Sequence, residues 1–86
     1  MEINSKGMLT RREVMRTYDR TWVEIEDMLD DAKAKRAHWV RFYEHAKAVG
    51  DKGSMKDAAR NTKALEGVEK TLRWVLGESG VRDPLD

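Results

Sequence analysis

Catalysis or metal binding on a small chain needs suitable side chains at a spacing that brings them together, and His38 and His45 are the first to consider. Set seven residues apart, they share a helix face but stand two turns from each other, roughly 10 Å. One ion cannot bridge that gap, because two ligands from a single helix require an i, i+4 pair. Both histidines fall outside the apolar seam described below, and their spacing predicts solvent-facing imidazoles. Glu24, Asp27 and Asp31, with Glu26 and Asp30 beside them, offer carboxylate oxygens of the kind a divalent cation takes. Arg20 to Glu24 and Asp31 to Lys35 are i, i+4 opposite-charge pairs that account for the cluster as a solvated face, and no metal is expected.

The remaining candidates are cationic and aromatic. Arg60, Lys63, Gly67, Lys70 and Trp74 recur at steps of three and four on the face opposite the seam, with Arg73 alongside. A glycine inside a helix costs about 1 kcal/mol relative to alanine, so an exposed Gly67 points to close approach of another backbone, a ring or a ligand. An indole among cations is a stacking surface for a nucleotide or a strand of nucleic acid. The same notch and ring equally suit a second copy of the chain, with Trp74 lying over Lys70. Arg12, Arg16 and Arg20, with Arg11 nearby, form a basic ridge that Glu13 and Asp19 dilute; it reads as a solvated face, with phosphate or an acidic partner as the alternative. Ser5, Ser54 and Ser79 lie in loops or at a cap with no neighbouring histidine. Nothing resembles a phosphate-cradling loop, a nucleophile elbow or a zinc-hydrolase pair. The expectation is a non-enzyme without a cofactor.

Composition bounds what can position these residues. With 86 residues, 17 basic and 16 acidic side chains and a net charge of +1, the chain makes one small domain with no global pull on nucleic acid or an anionic membrane. Three Trp, two Tyr, one Phe and five Met are enough bulky apolar material to order it. A chain this short buries only about 60% of its unfolded surface and gains from a partner. Without cysteine it has no disulfide, no thiol chemistry and no thiolate zinc site. Apolar runs of the length of a membrane span or a signal-peptide core are lacking, so a soluble cytoplasmic protein without membrane association is expected.

Between Gly7 and Gly50 neither glycine nor proline interrupts the backbone. Thr10 and Glu13 form a T-x-x-E capping box, and Leu9 with Val14 has the spacing of a hydrophobic staple, so helix 1 is expected over about 11–49. Its seam reads Met15, Tyr18, Trp22, Ile25, Leu29, Ala32, Arg36, Trp39, Tyr43 and Ala46, broken by Arg36 alone. Met28, Phe42 and Val49 widen one flank and Val40 the other. A break near 34–37 would give three helices, but Ala, Lys and Arg there are strong helix formers. The residues 50–53 read as a loop, with Ser54 and Asp57 as a looser cap, helix 2 over about 55–76, and Gly77 as its terminator.

The helix 2 seam reads Ala58, Asn61, Leu65, Val68, Leu72 and Val75. Folding back at the loop sets Ala46 opposite Ala58, Tyr43 opposite Asn61, Trp39 opposite Leu65, Arg36 opposite Val68, Ala32 opposite Leu72 and Leu29 opposite Val75, as in an antiparallel helical hairpin. The expected architecture is therefore all-α, a helical hairpin over 9–77 between flexible ends at 1–8 and 78–86. Helix 2 runs out near Ile25 and leaves Leu9, Val14, Met15, Tyr18, Trp22 and Ile25 as candidate oligomer-interface residues, because a lone hairpin has a poor core and association into a bundle supplies one. Antiparallel pairing of these overhangs sets Arg12 near Lys33 and Asp19 near Glu26, so charge does not support that register.

The stretch ALEGVEKTLRWVLGE over 64–78 resembles the closing helix of small phage and prophage accessory proteins of helical-hairpin type. Thr62, Lys63, Leu65, Glu66 and Trp74 are similar to the last helix of phage-encoded hairpins that sequester cyclic-nucleotide immune signals as oligomers. The resemblance implies a self-associating hairpin. The expected function is a small interaction module that self-associates and binds a larger protein as scaffold or inhibitor, a phage accessory or anti-defence protein. The alternative is capture of a nucleotide signal or nucleic acid on Arg60, Lys63, Gly67, Lys70, Arg73 and Trp74.

Overall fold

The computed structural model describes residues 15–86 and holds two helices, α1 at Trp22–Val49 and α2 at Lys52–Val75, packed antiparallel as a hairpin. No strand occurs among the described residues. The helix α1 runs unbroken through 34–37, as its alanines and long basic residues favour.

Its start differs from expectation. Residues 15–21 are not helical, and Tyr18 takes a left-handed conformation with φ +56°. A second T-x-x-E box sets the boundary. The Thr21 hydroxyl accepts from the Glu24 amide at 3.1 Å and the Glu24 carboxylate accepts from the Thr21 amide at 2.8 Å. The physical reason is the length of α2: a helix in water depends on tertiary packing, and α1 begins where α2 can no longer cover it. The Thr10 and Glu13 box, Leu9, Val14 and the arginines at 11 and 12 lie outside the described residues.

The link is tighter than the expected four-residue loop. Gly50, at φ +75°, donates its amide to the Lys47 carbonyl, and the Asp51 amide reaches the Ala46 carbonyl, the Schellman pattern that ends a helix. The Asp51 side chain at once caps α2, accepting from the Ser54 amide at 3.1 Å and hydroxyl at 2.7 Å. Asp51, and not Ser54, is thus the cap of α2, and one residue closes the first helix and opens the second. The far end of α2 repeats the Schellman pattern, with Gly77 at φ +76° bonded to the Trp74 carbonyl and Glu78 to that of Arg73.

The α1 half of the seam follows the sequence pattern. Leu29, Ala32 and Ala46 are buried, and Ile25, Arg36, Trp39 and Tyr43 half-buried. On α2 every second position moves by one. Met55, Ala58, Thr62, Leu65, Glu69, Leu72 and Leu76 turn inward, while Asn61, Val68 and Val75 are exposed. The expected pairings of Tyr43 with Asn61, Arg36 with Val68 and Leu29 with Val75 are corrected accordingly. The cause is ionic: Arg36 Nε donates to Glu69, and Arg36 Nη2 reaches the second carboxylate oxygen at 3.2 Å. An arginine in a seam needs an anion, and rotating α2 to supply Glu69 turns Val68 outward. The Glu69 bonds and charge raise the Arg36 pKa. Glu69 is only 1% exposed and also receives Arg73 at 3.4 Å. At the link, Ala46 and Ala58 let the helix axes approach closely enough for so short a connection.

Breaking this pair from one side leaves a buried charge without its partner. Arg36→Leu alone is expected to lower the melting temperature, whereas Arg36→Leu/Glu69→Leu restores or exceeds the native value, read by thermal circular dichroism. The caps respond to acid. The Thr21 amide holds Glu24 below its ordinary 4.5, with the Arg20 charge adding to the effect, and the Ser54 amide holds Asp51 below its ordinary 3.8. Both are depressed, so their stabilisation is complete above the ordinary values and drains away as pH falls through the lowered ones. Helicity is expected to fall on acidification below about pH 4, less steeply in Asp51→Asn, whose amide keeps an accepting oxygen at any pH.

Candidate functional site

The apolar residues that remain outside the seam are not scattered evenly. Met28, Phe42 and Val49 occupy one flank of α1, spaced at sevens or multiples of seven, and Val68 and Val75 occupy the facing flank of α2. All are exposed, Met28 at 55%. They form one side of the hairpin. The opposite flank holds Val40, Ala59 and Glu66 around a shallow depression of about 370 Å³ that also touches Tyr43, Thr62 and Lys63.

On the apolar side, near the start of α1, lies a groove of about 500 Å³. Ile25, Met28 and Leu72 give it apolar walls, and Glu24, Asp27 and Asp31 give it an acidic rim. Arg20, beside the groove, pairs with Glu24 at 3.7 Å. Two turns along, Trp39 and Phe42 pack edge to face with ring centres 5.6 Å apart, and the His38 ring lies 5.7 Å from that of Trp39. Among the described residues no three of His, Asp and Glu are placed to hold a metal ion.

The candidate stripe on α2 is only partly assembled. Arg60 is exposed, and Lys63 is exposed and 3.9 Å from Glu66. Arg73 turns away to the seam, bonding Glu69 and lying 3.8 Å from Glu78. Lys70 donates to the Asp86 carbonyl at 2.6 Å. The segment 78–86, expected as a flexible tail, follows a series of turns laid back over this face. Trp74, 50% exposed, borders a cleft of about 430 Å³ with Thr71, Arg82, Pro84 and Leu85. Gly67 lies with Ala64, Val68, Thr71 and Pro84 around a further depression of about 470 Å³.

Of the residues expected at an oligomer interface, Met15, Tyr18 and Trp22 are exposed, Trp22 at 66%. Ile25 is half-buried in the groove wall. With 15–21 outside the helix, Met15 and Tyr18 do not extend the α1 seam. The flank of Met28, Phe42, Val68 and Val75 is legible as a widened stripe on α1 but not on α2, because periodicity assigns its valines to the seam.

A Cβ built on Gly67 meets nothing within 4 Å, and Gly67 has no positive φ, unlike Gly50. In the isolated hairpin Gly67→Ala therefore removes a helix-weakening residue and is expected to stabilise by about 1 kcal/mol, whereas Gly50→Ala forces a side chain into the left-handed region and destabilises by about 1 kcal/mol. Opposite melting shifts of about 4–8 °C check both. Comparison of the chain with known protein families, with curated proteins and with solved structures finds no match.

Proposed function

We propose that this chain is a non-enzymatic helical interaction module that self-associates and, once assembled, presents a surface to a larger protein as scaffold or inhibitor. The supporting observation is the thinness of the core beside the breadth of exposed apolar side chains. Among the described residues, Leu29, Ala32, Ala46, Ala58 and Glu69 are the buried ones, while Met28, Phe42, Val49, Val68 and Val75 lie open along one side. Burial is worth about 25 cal/mol per Å², so covering that side stabilises the hairpin further. Among the described residues no helix is long and apolar enough to cross a membrane.

Capture of a nucleotide signal on the α2 stripe is the less favoured reading. Two of its cations, Lys70 and Arg73, already bond within the chain.

Light scattering on natively purified protein tests the proposal. A dimer or larger species, with absorbance accounted for by its own Trp and Tyr, is the expected result. A stable 10.0 kDa monomer overturns self-association, and co-purified nucleotide transfers the function to the stripe of Arg60, Lys63 and Trp74.

A further inference from the structure

One line of residues on α1 carries a charge pattern of which the hairpin itself uses only Glu24, in the Thr21 cap and beside Arg20. Glu24, Met28, Asp31, Lys35, His38, Phe42, His45 and Val49 alternate at steps of four and three, all of them exposed. They form a second seam about a third of a turn round the helix from the one that meets α2. Its first half bears the acids and its second half the imidazoles. Reversed about Lys35, the stretch of the line from Glu24 to His45 matches itself to within one residue: Met28 falls opposite Phe42, and Glu24 and Asp31 fall within one residue of the levels of His45 and His38.

We propose that a second copy of this chain docks antiparallel on this line, α1 against α1, about a two-fold axis at Lys35. The proposal rests on the self-association reading above and specifies the surface that performs it. Three observations select the occupant. The acid-rimmed, apolar-walled groove at Glu24, Met28 and Asp31 is concave where the reversed line brings Phe42, a ring flanked on its own helix by His38 and His45. Carboxylate therefore meets imidazole on both sides of an aromatic knob seated against Met28. The charge complementarity is of α1 with itself, because 23–32 holds Glu24, Glu26, Asp27, Asp30 and Asp31 without a base, whereas 33–47 holds Lys33, Lys35, Arg36, Arg41 and Lys47 with Glu44 as its only acid. Finally, the matching side of α2 is bordered by Pro84 of the returning tail, whereas among the described residues no tail residue lines the groove on α1.

The arrangement is isologous, so each contact occurs twice, and Lys35 faces its own copy. A lysine at such a position fixes register at the expense of affinity. Asp31 lies one turn from Lys35 on the same helix and moderates the repulsion.

Sedimentation equilibrium at neutral pH over a range of concentrations reads the dimer. Asp31→Lys and His38→Asp each place like charges or unpaired groups at two symmetric contacts, and each is expected to weaken dimerisation at least about tenfold, with helicity unchanged because both positions are exposed. Mixing the two variants restores the dimer as a heterodimer, since the introduced lysine of one copy then meets the introduced aspartate of the other, while the native His38 of the first meets the native Asp31 of the second. Lys35→Met tightens the native dimer about tenfold by removing the like pair at the axis. Native protein that associates but is indifferent to all three substitutions, or variants that stay apart on mixing, overturns the α1 seam while leaving self-association standing. Native protein that is monomeric at every concentration overturns both.

Discussion

The Glu69 carboxylate, held between Arg36 and Arg73 in an otherwise apolar seam, determines how the two helices face each other. A buried anion tolerates little displacement, because any other rotation of α2 takes it away from Arg36 and sets Arg36 against a valine. Hydrophobic contact alone permits several registers between two helices of this composition. The ion pair selects one. What it selects also decides the outside of the molecule, because turning Glu69 inward turns Val68 and Val75 outward. The exposed apolar side is thus a geometric result of satisfying a charge in the seam.

Much of this was legible in the sequence, for reasons that differ from residue to residue. The α1 seam is spelled by bulky side chains at heptad spacing, and Ile25, Leu29, Ala32, Trp39, Tyr43 and Ala46 all face α2 as read. On α2, Ala58, Leu65 and Leu72 were equally plain. Thr62 and Glu69 were not, because hydrophobic periodicity ranks the adjacent Val68 above a carboxylate. The pointer was nevertheless present: an arginine as the lone break in one seam calls for an acid in the other, and Glu69 is the acid within one position of the pairing.

The start of α1 illustrates a different limit. Met15, Tyr18 and Trp22 continue the periodic pattern backwards, and period alone carries no information about whether a second helix is there to receive it. Thr21 and Glu24 have the same T-x-x-E spacing as Thr10 and Glu13. The length of α2 accounts for the start of α1 at Trp22. The turns of 76–86 over Lys70 and Trp74 were not legible, because they depend on single long-range contacts such as that of Lys70 with Asp86. The α2 stripe was correct as a pattern of residues, yet two of its cations are committed elsewhere in the fold.

The two-residue link at Gly50 and Asp51 also sets an order of assembly. Ala46 and Ala58 close the shortest loop in the hairpin, so their encounter carries the smallest entropic penalty and precedes the rest. Pairing then zips outward through Trp39 and Leu65 to the ion pair and last to Leu29 and Leu76. The first turns of α1 are in consequence the latest to form and the earliest to fray. They are also the turns that carry the acid-rimmed groove, so whatever fills that groove also clamps the end of α1 against fraying.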